Sequence, residues 1–313
     1  MTENADSNAE SLIGITVGDY KIIDIIGKGG MGVVYTAEHT QLHHLTACKV
    51  LRAEMASHPE TVERFLQEAK FISRIRHLNL IDIFDIGELP DKRLYYVMEK
   101  LTGRTLAQVL HGQKMPFASI ISIMNQICAG LAAAHAAGLV HRDLKPDNLF
   151  LVERAGEAPL LKIMDFGVAK VMDLSSTEAK LTRTGYLVGT PQYMSPEQIN
   201  GVAIDKRSDI YALGVILYEM STGTPPFRGD TLGQMLIAHL QQILPAIDPK
   251  LRNEDVPAGI ELIIRKALAK DPSERYASVQ DLSADLERLV AGEPTQAAAW
   301  YKEYQMHFLQ PQK

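Results

Sequence analysis

The sequence predicts an α+β chain in two parts: a sheet with one helix over Asp19 to Met98, and a mainly helical part from about Thr102. Three observations lead there. Ile22 to Ile26, Val33 to Ala37 and Leu45 to Leu51 read as strands broken by a glycine-rich turn. Val62, Phe65, Ala69, Ile72 and Ile75 then recur at helical spacing between about Glu60 and Ile75. Further on, Ile120 to Val140 carries no formal charge, and Ser208 to Glu219 is apolar around most of its circumference, as a buried helix would be. With 313 residues, each part has chain enough for its own core.

The turn after the first strand is Gly27-Lys28-Gly29-Gly30-Met31-Gly32-Val33-Val34, which has the spacing G-x-G-x-x-G-x-V. Glycines let backbone N–H groups approach phosphate oxygens without interference from a Cβ. Dinucleotide-binding folds share the spacing, but there the loop opens a helix and an acidic residue follows about 20 positions on. Here the chain continues as a strand through Ala37, so the dinucleotide reading is set aside. In the next strand, alternation puts Leu45, Ala47, Lys49 and Leu51 on one face. A lysine there needs an anion, either nucleotide phosphates or a carboxylate on the following helix. Glu68 lies inside that helix's apolar stripe, and a carboxylate facing a core is costly unless paired. Lys49 and Glu68 are therefore expected to pair.

In the second part, His141-Arg142-Asp143-Leu144-Lys145-Pro146-Asp147-Asn148 precedes Asp165-Phe166-Gly167. Phosphoryl transfer from ATP asks for such a set: a carboxylate for the substrate hydroxyl, and an amide with a second carboxylate for magnesium. Farther along stand Gly189-Thr190-Pro191-Gln192-Tyr193-Met194-Ser195-Pro196-Glu197 and Asp271-Pro272-Ser273-Glu274-Arg275. Taken in this order, the motifs resemble the protein kinase family over about Asp19 to Val290, and the bacterial eukaryotic-like (Hanks-type) Ser/Thr kinases in particular. Two departures stand out. Ser195 occupies the place of alanine in A-P-E, and Tyr211 and Ala212 stand where many eukaryotic kinases have tryptophan and serine.

The resemblance implies a two-lobed fold with an antiparallel small lobe over residues 19–98, a hinge at 99–101 and a large lobe over 102–290. It implies an ATP- and Mg2+-dependent protein-serine/threonine kinase, with a nucleotide-binding pseudokinase scaffold as the alternative. That alternative would be expected to lack Lys49, Asp143 or Asp165, all of which are present. In the implied roles, Asp143 accepts or orients the substrate hydroxyl, Lys145 neutralises the moving phosphoryl group, and Asn148 and Asp165 hold magnesium. Lys145 is also the residue that Ser/Thr kinases resemble at this position. Gly27, Gly29, Gly30 and Gly32 would cover the phosphates. Ile26, Val34 and Ala47 would lie on one side of the adenine and Phe150 on the other, with Glu99 to Leu101 as hinge backbone. Met98 would sit behind the nucleotide or serve as plain core. Glu197 would pair with Arg275, and Asp209 would hold the catalytic-loop backbone. Arg142 before the catalytic aspartate implies control by phosphate on the activation segment, with Thr182 and Thr184 as the autophosphorylation sites and Thr190 a poorer candidate.

Protein substrates, and a transient homodimer for phosphorylation between copies, are the expected partners. A net charge of −6 with mixed signs argues against nonspecific nucleic-acid binding. Cys48 and Cys128 sit in apolar surroundings and read as buried inert thiols, which suits a reducing cytoplasm. Ile120 to Val140 is long enough to span a membrane. Ser122, Asn125, Gln126 and His135 interrupt it, and His141-Arg142-Asp143 follows at once, so it is read as the helix leading into that loop and no membrane span is expected in this chain. Residues 1–18, opening on an acidic, polar run, read as a flexible tail rather than a signal peptide. Residues 291–313 read as an extension whose Trp300, Tyr301, Tyr304 and Phe308 either dock on the large lobe or bind a partner.

Overall fold

In the computed structural model, which describes residues 12–167 and 191–308, the chain divides into two units after Gly103. Within the first unit, β1 (Thr16–Val17), β2 (Tyr20–Lys28), β3 (Gly32–His39), β4 (Leu45–Leu51), β5 (Ile83–Glu88) and β6 (Leu94–Glu99) form an antiparallel sheet. Its order is β1-β2-β3-β4-β6-β5. Register shifts in β2 at Ile22/Asp24 and Ile25/Gly27 change the face its side chains take. The isoleucines therefore part company: Ile22 is buried while Ile23 and Ile26 are exposed.

β4 lies between β3 and β6, and both its faces are covered. Cys48 and Val50 join one apolar cluster with Tyr35 and Val97, whereas Leu51 joins another with Phe65, Ala69 and Tyr96. The alternation read from sequence thus overstates a one-sided strand, since Leu45, at its start, is exposed. Two short helices in series, α1 (Ala53–Ala56) and α2 (Pro59–Ile72), follow. α2 stops three residues short of the Ile75 expected from periodicity, because Ser73 turns the chain, its backbone N–H going to Ala69 O and its hydroxyl to Lys70 O.

One expectation is corrected outright. Residues 12–18 are not a flexible tail. Leu12 and Val17 are buried in the sheet's core, Gly14 N–H donates to Ile22 O at 2.8 Å, and Ile22 N–H donates back to Ile15 O at 2.9 Å. The first eight residues are polar, but Leu12 and Val17 behind them bury apolar surface against the sheet, while Ile13 and Ile15 stay exposed.

The second unit carries a sheet of β7 (Gly103–Thr105), β8 (Leu149–Val152) and β9 (Leu160–Ile163), in that order. Its helices are α3 (Leu106–Leu110), α4 (Phe117–Ala136), α5 (Pro196–Ile199), α6 (Arg207–Thr222), α7 (Leu232–Gln241), α8 (Ile260–Ala267), α9 (Val279–Ala291) and α10 (Gln296–Phe308). α6 is buried almost throughout. α4, the helix apolar enough to raise the membrane question, buries Ile120, Ile123, Met124, Ile127, Cys128, Leu131 and Ala134. It packs against β9, α6 and α9, so its apolar composition has a use within the fold. Cys48 and Cys128 are both buried, and burial pushes each thiol up to about 12, which leaves them protonated and unreactive. α10 docks on α8 of its own unit.

His239, in the last turn of α7, is fully buried with Nδ1 3.0 Å from the Tyr211 hydroxyl. Burial, then the Lys270 ammonium beside it, pushes the imidazole from 6.5 down to about 4. Between those values the unfolded chain holds the extra proton and the folded chain refuses it, so stability falls as pH drops through that window. A shift of this size corresponds to about 3 kcal/mol. The urea midpoint of wild type is expected to fall more steeply from pH 6.5 to 4 than that of His239→Gln. Parallel curves would place the acid sensitivity on other groups.

Candidate active site

The glycine turn joins β2 to β3, closed by Gly29 N–H donating to Gly32 O at 2.8 Å. A Cβ at Gly27 or Gly30 would meet no atom within 4 Å, so the fold of the chain does not itself require glycine there. Gly32 is different: its Cβ would lie 2.6 Å from Val50 O, a close approach of two strands. Backbone left open at Gly27 and Gly30, where no packing demands it, fits a loop built for an anion to approach.

Lys49 is opposite Val34 on one side and Tyr96 on the other in the sheet register. Its Nζ lies 3.9 Å from Glu68 Oε1 of α2, with both side chains nearly buried. The pair anticipated from two charges on apolar faces is therefore brought together, at ion-pair rather than hydrogen-bond distance. Tyr96 was missed. Its ring lies 5.5 Å from Lys49 Nζ and packs at a tilt against Phe65, centroids 4.9 Å apart, so it floors the lysine and links the sheet to α2. The available signal was its place in an alternating strand, but nothing in sequence names the strand it pairs with.

The remaining first-unit residues fall as follows. Ala47 is buried, Val34 and Leu101 are half-buried, and Ile26 is exposed. Met98 packs on the Phe65–Tyr96 cluster, which satisfies its plain core role. Glu99 uses its N–H on Asp82 O at 3.0 Å and its carboxylate on Asp82 N–H at 2.9 Å, so the end of β6 is anchored. If Lys49 and Glu68 work as a unit, Lys49→Met and Glu68→Ala should each lower phosphotransfer by about 10²-fold through misplacement of the phosphates. The double variant should be no worse than the worse single, since contacting residues are not additive. Multiplicative losses in turnover would mean that the two act apart.

In the second unit the His141–Asn148 loop is held from below. Asp209, at the start of α6, accepts His141 N–H and Arg142 N–H at 2.9 Å each, and His135 Nε2 at 2.7 Å. Asp209 was anticipated, whereas His135 had been read only as an interruption of an apolar run. A polar side chain on the buried face near a helix C-terminus was the signal. Arg142 is held at φ +65°, a left-handed conformation that a non-glycine residue takes only when its surroundings impose it. Asp165 is a second such residue, at φ +48°.

His141 is fully buried; its Nδ1 accepts Asp143 N–H at 3.3 Å and its Nε2 lies 3.1 Å from Met164 O. Burial keeps this imidazole below its ordinary value, and that neutral form suits one acceptor and one donor nitrogen. Its ring packs at a tilt against Phe166, centroids 4.5 Å apart, and Gly167 N–H donates to His141 O at 2.7 Å. A Cβ at Gly167 would lie 2.8 Å from Asp143 Cβ, so glycine is what lets the two motifs touch.

The Asp143 carboxylate lies 3.4 Å from Lys145 Nζ. Asn148 Nδ2 donates to Asp143 O at 2.8 Å, and Met164 N–H donates to Asn148 O at 2.8 Å. With its Nδ2 spent on the loop, Asn148 has Oδ1 as its oxygen donor, the ligand type magnesium takes. Phe150, in β8, is half-buried and opposite Lys162. Thr182, Thr184 and Thr190 lie outside the described residues.

The Arg275 guanidinium grips Glu197 with both terminal nitrogens, at 2.7 and 2.8 Å. Burial alone would raise the Glu197 carboxyl, but Arg275 more than offsets this and holds it below the usual carboxylate range. Ser195 N–H donates to Gln198 Oε1 at 3.0 Å, and Gln198 Nε2 donates to Arg142 O at 2.6 Å. Serine in place of alanine thus keeps the start of α5 intact and joined to the His141–Asn148 loop.

A glycine turn and buried Lys–Glu pair on an antiparallel sheet, followed by an H-R-D loop clamped from a buried helix, define a kinase-type catalytic domain. The chain belongs to the protein kinase domain family, whose model matches residues 20–285. It is 43% identical over 270 residues to the serine/threonine-protein kinase Pkn1 of Myxococcus xanthus, covering 86% of this chain and 38% of that protein. It is 37% identical over 282 residues to PknB of Mycobacterium leprae, covering 89% of this chain and 44% of that one. The chain therefore spans less than half of either relative. Its fold is similar to the crystal structure of the M. tuberculosis PknI kinase domain, with a TM-score of 0.68 at 25% identity, over 89% of this chain and 98% of that one.

Proposed function

We propose that this chain is the catalytic domain of a Ser/Thr protein kinase, moving the γ-phosphoryl group of ATP to serine or threonine hydroxyls of proteins. The observation that carries the reading is the Asp143 carboxylate, 3.4 Å from Lys145 Nζ and on a backbone pinned by Asp209 and Asn148. Asp143 takes or orients the hydroxyl proton, and Lys145 steadies the carboxylate and offers charge to the phosphoryl group in transit. Lys49, oriented by Glu68 and Tyr96, holds phosphate oxygens, and the turn of Gly27, Gly29, Gly30 and Gly32 covers the phosphates. Asn148 and Asp165 would hold Mg2+, which when bound neutralises charge on the phosphates. The residues this reading assigns to adenine are Ile26, Val34, Ala47, Met98, Glu99 and Leu101 of the first unit and Phe150 of the second. The two unreactive buried thiols suit a reducing cytoplasm.

Control is assigned to autophosphorylation at Thr182 and Thr184, during a transient encounter of two copies. The test is phosphosite mapping after incubation with ATP and Mg2+, wild type beside Asp143→Asn. Phosphoserine or phosphothreonine in wild type alone, including the Thr182/Thr184 peptide, is the expected result. No transfer to any protein hydroxyl by wild type would overturn the reading.

A further inference from the structure

The family match ends at residue 285, before α10 begins at Gln296. α10 nevertheless reaches the stretch Glu274-Arg275-Tyr276 on either side of Arg275: Glu274 directly, and Tyr276 by way of Asp285 and Lys266. Trp300 Nε1–H donates to Glu274 Oε2 at 2.8 Å. Lys266 Nζ lies 5.0 Å from the Trp300 ring and 5.4 Å from the Tyr276 ring, and 3.4 Å from Glu274 O. Asp285, fully buried, accepts the Tyr276 hydroxyl at 2.8 Å together with Gln296 N–H at 2.6 Å and Ala297 N–H at 2.8 Å, the first turn of α10. Arg275, the middle residue, is the one that holds Glu197. Gln198, next to Glu197, is bonded to the Arg142 carbonyl one residue from Asp143. Hydrogen bonds joined by single steps of backbone, Glu274 to Arg275 and Glu197 to Gln198, therefore lead from Trp300 to the catalytic loop.

The docking itself is light. Among residues 296–305 of α10 only Ala297 is buried, and Trp300, Tyr301 and Tyr304 are half-buried. Elements with few buried contacts open at a fraction of the global unfolding free energy. A releasable helix bonded to the residue next to a buried ion pair has two arrangements, one with Glu274 bonded to Trp300 and one without.

We propose that α10 is a latch on the Arg275–Glu197 pair, with Trp300 a positioning residue for the segment of the peptide site that Glu197 anchors. The role of that segment rests on the kinase reading above, but the bond from Trp300 to Glu274, next to Arg275, does not. Coupling between two sites is reciprocal, typically 5- to 150-fold. It is therefore read from both ends.

From the latch end, Trp300→Ala in the full chain should raise KM for a protein substrate about fivefold and leave KM for ATP unchanged. Trp300→Phe, which keeps a ring over Lys266 but loses the N–H, should fall between and serves if the alanine variant folds poorly. From the other end, Trp300 is the single tryptophan of the chain, so its fluorescence reports α10 alone. Glu197→Gln, or the milder Ser208→Ala that removes one hydrogen bond to Glu197, should raise acrylamide quenching of Trp300 with circular dichroism unchanged. Quenching that responds in a protein that transfers no phosphate supports the latch and removes the kinase reading instead. A lower melting temperature for Trp300→Ala with KM unchanged, or Trp300 quenching indifferent to both changes at Glu197, makes α10 a passive brace and overturns the proposal.

Discussion

Asp143→Asn is expected to lower phosphotransfer by about 10²–10⁴-fold while nucleotide still binds, the usual cost of losing a positioned proton acceptor. The substitution is nearly isosteric, and the contacts that shape the loop bypass the lost charge. Asn148 bonds the Asp143 carbonyl, His141 bonds its N–H, and Asp209 holds the two residues before it. An amide oxygen can still face Lys145 but cannot take a proton. The loss should therefore appear in turnover, measured with a protein substrate, and not in nucleotide affinity measured by calorimetry. Turnover within about threefold of wild type would sink the assignment, because no general base is worth so little.

The second large effect is on stability. Glu197→Ala should destabilise the protein by about 3–5 kcal/mol, the cost of leaving one partner of a buried ion pair uncompensated. Against a total of about 5–15 kcal/mol for a typical domain, that is a large share. The geometry supports the upper part of the range. Arg275 is 4% exposed and also donates to Ala269 O, Arg207 O and Lys270 O, so its charge cannot turn to water when Glu197 is gone. Replacing both partners with apolar residues, Glu197→Leu with Arg275→Met, should cost less than Glu197→Ala alone. Urea midpoints decide it: equal midpoints for Glu197→Ala and wild type would mean that the pair is solvated in the native protein. Since the Glu197 carboxyl is held low, its contribution is present above the ordinary carboxylate range and is lost as pH falls through its folded value.

How much was legible differs from residue to residue, for physical reasons. Glu68 could be read because burying a carboxylate is costly, so a glutamate in an apolar stripe announces a partner. The nearest lysine on an apolar strand then had few rivals. Tyr96 could not be read in the same way, because tyrosine is at home in any sheet and its position under Lys49 depends on β6 lying beside β4. Asp209 and the Glu197–Arg275 pair were expected only through family resemblance. No periodicity joins residues 78 positions apart. His135 was passed over because a histidine in an apolar helix has many harmless explanations, and only the approach of α6 to α4 makes it a third donor to Asp209. Residues 12–18 differ for the opposite reason: behind a polar beginning stand Leu12 and Val17, whose burial only the sheet reveals.

By itself, then, the sequence determined the identity and order of the chemical groups: the glycine turn, Lys49, Glu68, the His141–Asn148 loop, Asp165-Phe166-Gly167, Glu197 and Arg275. Those are matters of residue type and spacing along the chain. Tertiary structure decided which of them meet, how closely, and on what support. Lys49 stops at 3.9 Å from Glu68 over a tyrosine ring, Arg142 takes a positive φ with its N–H on Asp209, and α10 bonds Glu274. Periodicity records which way a side chain points from its own element, and only packing of distant elements says what waits there.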